Sequence, residues 1–227
     1  MSVQSMSLGR YLPVRIQARF ACFTIPQLRA EGMTYDIPTP SALSGVMHSA
    51  HPERNVNWVP VAFCLLAPVK KYSMGGTEHA NISSGVGPVG RANQIRQREF
   101  LRDVDYAVWY RVVERLSPDG QPLGGDCEKA VAKARRKLGK GQYDRVPHLG
   151  VAECVASVSS GPREMPERVV KDFRVYRMFH SFPRYQDGDG VDPIYYMPEV
   201  GHDGLVVCDP AIVLSGLSGV TWFGLVG

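Results

Sequence analysis

From Val14 to Thr24 apolar and polar side chains alternate, with Val14, Ile16, Ala18, Phe20 and Cys22 on one face and Arg15, Gln17 and Arg19 on the other. A period of two predicts a strand with one face in the core. The pattern changes after Tyr35. Thr39 is a good helix N-cap, Pro40 suits the first helical position, and Leu43, Val46, Met47 and Ala50 share one turn-spaced face, so a helix is predicted from Thr39 to Ala50. His51 precedes Pro52, which favours extended backbone and ends the helix. It is therefore expected at an edge of the fold and not in a core, with His48 one turn before it.

Val56 to Val69 is a mostly apolar run, read as a second strand interrupted by Pro60. Residues 70–101 set glycines among Ser, Asn and Arg with little periodicity, which predicts a long loop or a mobile hairpin. Alternation returns from Asp103 to Leu116, where Val104, Tyr106, Val108, Tyr110 and Val112 face one way in a third strand. Trp109 and Tyr110 are expected to be one core and one surface residue. Pro118-Asp-Gly120 reads as a turn. From Cys127 to Leu138, Cys127, Val131, Ala134 and Leu138 form an apolar helical stripe, and Lys129, Lys133, Arg136 and Lys140 a basic one. Gly139 and Gly141 end that helix, and Val151 to Val158 supplies a fourth strand.

Strand, helix, strand, strand, helix, strand is the ferredoxin-like order. The expected fold class is α+β: an RRM-like, ferredoxin-like domain over residues 1–160 with a hairpin or loop insertion at 70–101. A small antiparallel β-rich region over 161–227 follows, with strand candidates at Val169–Met178, Gly204–Val207 and Val220–Val226 and a loop at Gln186–Pro193.

Charge sharpens this picture. The chain has 227 residues and a net charge of only +4, yet the positive charge is clustered. Residues 91–115 hold six arginines and no lysine, and residues 129–145 hold seven Lys/Arg. Two basic segments on such a scaffold suggest a polyanion, although a charge run by itself is as often a solvated face. Arg91, Arg96, Arg98 and Arg102 suit phosphate contacts, and a flat sheet is a platform on which single-stranded RNA is often read. The aromatic signature of an ordinary RRM is absent.

The five cysteines are scattered without any C-x-x-C, which signals neither a zinc site nor a disulfide framework and fits a reducing cytoplasm. No apolar run approaches the length of a membrane span, and no membrane association is expected. No carboxylate cluster has metal spacing, so neither a metal nor a cofactor is expected and a two-metal nuclease is disfavoured. Gly85-Val-Gly87-Pro-Val-Gly90 matches a dinucleotide fingerprint by letter, but Pro88 removes an amide and no helical pattern follows. RNA chemistry without a metal needs a proton acceptor for a 2′-OH and a cation for the phosphorus oxygens. His48, His51, Lys129 and Lys133 have the right types, and each histidine has the alternative of an ordinary surface residue.

Tyr35-Asp-Ile-Pro-Thr-Pro-Ser-Ala-Leu-Ser-Gly45, then Asn57-Trp58, Arg96-Gln-Arg98, Leu101-Arg-Asp-Val104, Arg135-Arg136, Gly141-Gln142 and Pro147-His-Leu-Gly150 follow one another in a telling order. Together they resemble the CRISPR-associated RAMP superfamily, in particular its fifth Cas protein in the subtype I-C form. The likeness runs from about Val14 to Cys154. It implies an RNA-binding subunit that caps the repeat-derived 5′ handle of CRISPR RNA in the Cascade surveillance complex. The implied neighbours are the repeated RAMP backbone subunit, the large subunit and, through the complex, target DNA.

The resemblance further implies cleavage of the precursor RNA by metal-independent attack of a 2′-OH. The family's site uses an aromatic or histidine after the first helix, matched here by His51, and a Lys-His pair at the start of the second. Counting back from Leu149-Gly150 puts that pair on Lys129 and Ala130, so the lysine is kept and the second imidazole is missing. The expected catalytic residues are His51 and Lys129, and the expected RNA-binding residues are Arg91, Arg96, Arg98, Arg102, Lys133, Arg135, Arg136 and Lys140. Two rivals stand beside this reading: a subunit that binds the handle without cutting, and a ferredoxin-like enzyme acting on a small molecule or nucleotide.

Overall fold

A computed structural model describes residues 11–28, 32–82, 90–117, 120–175, 177–181 and 194–208. The elements are β1 (Leu12–Ala21), α1 (Pro40–Ala50), β2 (Val56–Leu65), β3 (Lys71–Ile82), β4 (Gly90–Glu114), α2 (Cys127–Leu138), β5 (Ala156–Ser160), β6 (Met178–Ser181), β7 (Ile194–Tyr196), β8 (Glu199–Val200) and β9 (Val206–Val207). The principal sheet runs β5-β1-β4-β2-β9-β8, with β3 paired to the first half of β4. Every adjacent pair in it is antiparallel.

Both helices start where side-chain caps dictate. Thr39 Oγ1 accepts the Ala42 N–H at 3.2 Å, and the Asp126 carboxylate accepts the Lys129 N–H at 2.9 Å. Leu43, Val46, Met47 and Ala50 are buried as their spacing predicts. Two further bonds fix α1 to the sheet: the Tyr110 hydroxyl donates to the Leu43 carbonyl, and Ser44 Oγ donates to the Trp58 carbonyl, both at 2.8 Å. On α2, Ala130, Ala134 and Leu138 are buried, while Lys129, Arg135, Arg136 and Lys140 stay exposed.

Several expectations are corrected. Of the two alternatives expected at 70–101, the paired-strand one holds, with Lys71–Ile82 against Gly90–Leu101; β4, however, begins at Gly90 and runs 25 residues, 13 before the predicted start at Asp103. Lys71–Gly75, Gln97 and Arg98 are all exposed, and a stretch exposed on both faces writes no hydrophobic period. Trp109 and Tyr110 are both buried, at 0% and 1% exposure. The reason is that β4 is central: Trp109 lies opposite Pro13 and Ala62, Tyr110 lies opposite Leu12 and Pro60, and both join the one core. β2 is buried along its whole length, with a register shift between Pro60 and Ala62.

β5 starts at Ala156, five residues after the predicted Val151. Between them the Cys154 N–H turns back to the Val151 carbonyl at 3.0 Å. Just before this turn, Gly150 has φ +84° and abuts the Cys22 carbonyl, where a Cβ would collide. Beyond residue 161 the chain divides. β6 and β7 form a two-stranded sheet, whereas β9 pairs with β2 and β8 with β9, extending the principal sheet. The strand expected at Val169–Met178 is reduced to a single bridge between Val170 and Leu65 and to Met178 at the start of β6. The Gln186–Pro193 loop, the Val220–Val226 candidate and Gly85–Val89 of the glycine motif lie outside the described residues.

Candidate functional site

His51 caps the C-terminus of α1. Its N–H donates to the Met47 carbonyl at 2.8 Å, and its own carbonyl accepts the Trp58 Nε1 hydrogen at 2.9 Å. The expectation of an edge position fails: His51 is 1% exposed. Trp58, near the start of β2, bonds the His51 carbonyl, and Asp144 in the loop after α2 bonds the neighbouring Ala50 carbonyl. Neither ring nitrogen has a hydrogen-bond partner among the described residues, and a buried polar group left so costs on the order of 1–3 kcal/mol. Burial lowers the pKa of the imidazole from its ordinary 6.5. Lys137 lowers it further, Asp144 and Glu53 oppose, and Lys133 adds to the lowering. The ring is neutral at pH 7 and able to accept a proton.

The four charges named belong to two ion pairs. Lys133 Nζ meets Glu53 Oε1 at 2.5 Å, and Lys137 Nζ meets both Asp144 carboxylate oxygens at 2.5 and 2.6 Å. Hydrogen bonding to Glu53 raises the Lys133 pKa, and hydrogen bonding to Lys137 lowers that of Asp144. The Asp144 N–H donates to the Ala50 carbonyl at 2.9 Å, which ties the loop after α2 to the end of α1. The site thus draws on two regions distant in sequence: the α1–β2 junction, and the basic face of α2 with the loop residue Asp144 just after it.

Lys129 stands outside this group. It is exposed, and it precedes Lys137 by eight residues, roughly 12 Å along the helix axis. The charges that act on His51 are those of Lys137, Asp144, Glu53 and Lys133. Ala130 is 4% exposed, so its position belongs to the buried face of α2, and a histidine there would enter the core. Lys137 shares the basic stripe at i+4 from Lys133, a spacing visible in the sequence. Nothing local in the sequence marks Glu53 or Asp144, because their role comes from chain segments meeting.

The remaining predicted RNA-binding residues fall in two places. Arg91 and Arg96 lie in β4 opposite Asn81 and Gly76, and their side chains are outside the described residues. Arg98 and Arg102 are exposed on the same strand, with Arg102 Nε 3.4 Å from Asp103. Arg135, Arg136 and Lys140 are exposed on and just after α2, and Lys133 is half-buried by its pair with Glu53. Arg135 also borders a cavity of about 550 Å³ between α2, β1 and β4. His48 is half-buried, and burial followed by the Arg115 charge lowers its pKa. Among the described residues no group of three or more His, Cys, Asp or Glu is arranged to hold a metal ion, and no helix is long and apolar enough to cross a membrane.

A family model described as "CRISPR-associated protein (Cas_Cas5)" matches residues 11–192. The chain is 30% identical over 164 residues to the CRISPR pre-crRNA endoribonuclease Cas5d of Thermus thermophilus, covering 69% of this chain and 66% of that protein. To the protein of the same name from Mannheimia succiniciproducens it is 26% identical over 164 residues, covering 66% and 72% respectively. A crystal structure of a CRISPR-associated protein superposes with a TM-score of 0.62 at 20% identity, covering 87% of this chain and 91% of that one. That likeness agrees with a mainly antiparallel sheet carrying few helices.

Proposed function

The chain belongs to the Cas5 family of CRISPR-associated proteins, and from that premise we propose that it binds precursor CRISPR RNA, cuts it within the repeat and keeps the 5′ handle as a subunit of a subtype I-C Cascade. The match over residues 11–192 carries this reading. The names of its two relatives support the endoribonuclease part. The sheet order β5-β1-β4-β2 with two intervening helices supports the ferredoxin-like class for residues 1–160, and the exposed arginines of β4 and α2 support contact with a phosphate backbone. The repeated backbone subunit, the large subunit and target DNA are the partners such a subunit would meet.

In the proposed reaction the neutral His51 imidazole takes the proton of a ribose 2′-OH. The 2′-oxygen then bonds to the adjacent phosphorus as the bond to the 5′-oxygen breaks. The imidazolium returns the proton to the departing oxygen, leaving a 2′,3′-cyclic phosphate and a 5′-hydroxyl. No metal is required in this scheme. Lys133 and Lys137 neutralise the charge that gathers on the phosphorus oxygens, and Lys129 grips the RNA one turn before Lys133. For this to happen RNA phosphates must draw both lysines from Glu53 and Asp144 and uncover His51. The ion pairs themselves oppose opening only weakly, since partly exposed pairs are typically worth about 0–1 kcal/mol.

A second reading, a subunit that holds the handle without cutting it, is favoured by the buried His51 and by Ala130. Incubating the purified chain with its repeat RNA in EDTA separates the two. Cleavage with a cyclic phosphate end supports the first, tight binding of uncut RNA supports the second, and neither binding nor cleavage defeats both.

A further inference from the structure

At the base of the β3–β4 hairpin the structure displays aromatic surface that packing does not require. Tyr72 is 41% exposed and Met74 50% exposed. They stand two residues apart on one strand and so share a face. Behind Tyr72 lies Phe20 of β1, ring centroids 5.8 Å apart and planes at 38°. Phe20 is held in turn edge-on by the buried Phe100 at 6.2 Å, which packs with Cys22 and Cys154 in a small core of its own. The Arg19 guanidinium lies 5.5 Å from the Phe20 ring centroid. The result is a rigidly backed ring with one open side.

The surroundings are basic. Arg19, Lys70, Arg98 and Arg102 are exposed around this patch. Of the nearby carboxylates, Glu99 is engaged by Lys71 at 3.1 Å, Asp103 lies 3.4 Å from Arg102, and Glu153 is exposed beside Cys154. An apolar protein partner has no use for such a rim of cations. A nucleotide strand matches both features, because every base has a face to stack and every linkage a phosphate to neutralise.

We propose that Tyr72, backed by Phe20 and flanked by Met74, is a stacking platform for one unpaired base of the bound RNA, with Arg19, Arg98 and Arg102 gripping its flanking phosphates. The inference rests on the RNA-binding reading above and adds the residue on which a base sits. The ring gives affinity for single strands over duplex, since a paired base offers no free face.

The test is binding of the full-length chain to fluorescent single-stranded repeat RNA across a salt series, with each nucleotide replaced in turn by an abasic residue. Tyr72→Ala should weaken binding about 5- to 150-fold, the range expected for losing one base–aromatic stack, without changing the slope of log affinity against log salt. Tyr72→Phe, which keeps the ring, should bind like the parent. Arg102→Ala should instead reduce the slope, by roughly 0.7 for one phosphate contact on a single strand. One abasic position should cost the parent affinity and cost Tyr72→Ala nothing. If Tyr72→Ala binds as tightly as the parent, or if Tyr72→Phe loses as much as Tyr72→Ala, the platform is overturned while RNA binding stands. Unchanged RNA binding with lost capture of a Cascade subunit would assign the ring to a protein contact. A parent chain that binds no RNA overturns the underlying reading.

Discussion

Asp144 is bound twice to the elements around His51: its N–H donates to the Ala50 carbonyl at 2.9 Å, and its carboxylate chelates Lys137 on the last turn of α2. One loop residue therefore joins the end of α1 to the end of α2 next to the buried imidazole, whose pKa it raises.

The two ends of that bridge act on His51 with opposite sign, since Lys137 lowers its pKa and Asp144 raises it. Lys137→Gln should raise the His51 pKa, both by removing a cation and by leaving Asp144 unneutralised. Asp144→Asn should lower it further. Imidazole NMR titration reads both, and equal values in the two variants would refute the action of this bridge on His51.

The same imidazole makes stability depend on pH. Its folded pKa is depressed below the ordinary 6.5, so between the two values the unfolded chain binds the extra proton. This contribution to stability is fully present above about pH 6.5 and is lost as pH falls through the folded value. Thermal unfolding from pH 8 down to 5 should show a Tm that falls on acidification. His51→Gln, which has no proton to take up, should show a flatter profile over that window.

In the proposed cleavage, the reactive form of His51 is the neutral one. Cleavage should rise with pH through the depressed pKa and reach a plateau by about neutrality. His51→Ala should lower the cleavage rate by about 10²- to 10⁴-fold, the usual contribution of a general base, with RNA affinity within a few-fold of the parent. Lost affinity in that variant would make His51 a recognition residue. An unchanged rate would remove it from the chemistry.

Gly150 offers a test of the fold behind the site. Its φ of +84° and its contact with the Cys22 carbonyl leave no room for a side chain. Gly150→Ala should therefore destabilise the chain by about 3 kcal/mol or more, adding strained backbone to a steric clash. Denaturant unfolding measures this directly, and a loss under about 1 kcal/mol would contradict the close approach.

The features legible in the sequence were those written by neighbouring residues. The bounds of α1 and α2 follow from Thr39-Pro40 and Gly139 together with a 3.6-residue stripe, and they agree with the structure within a residue. The first strand announces itself because one of its faces is buried. The start of β3, Lys71–Gly75, could not, since exposure on both faces leaves no period to read. The turn before β5 depends on the Gly150–Cys22 contact, across some 130 residues of chain.

The candidate site divides the same way. Sequence alone picked out His51 and the basic stripe of α2, because helix ends and helical spacing are local. Only the tertiary structure determined that His51 is buried, that the charges of Lys133 and Lys137 act on it, and that Glu53 and Asp144 pair with those lysines. Burial and charge pairing depend on which distant segments meet, and no single segment carries that information. The sequence by itself thus determined the two helices, the first strand, the family likeness and a histidine at the end of a helix. The fold decided which charges surround that histidine and how deeply it is buried, and with them the direction of its pKa shift.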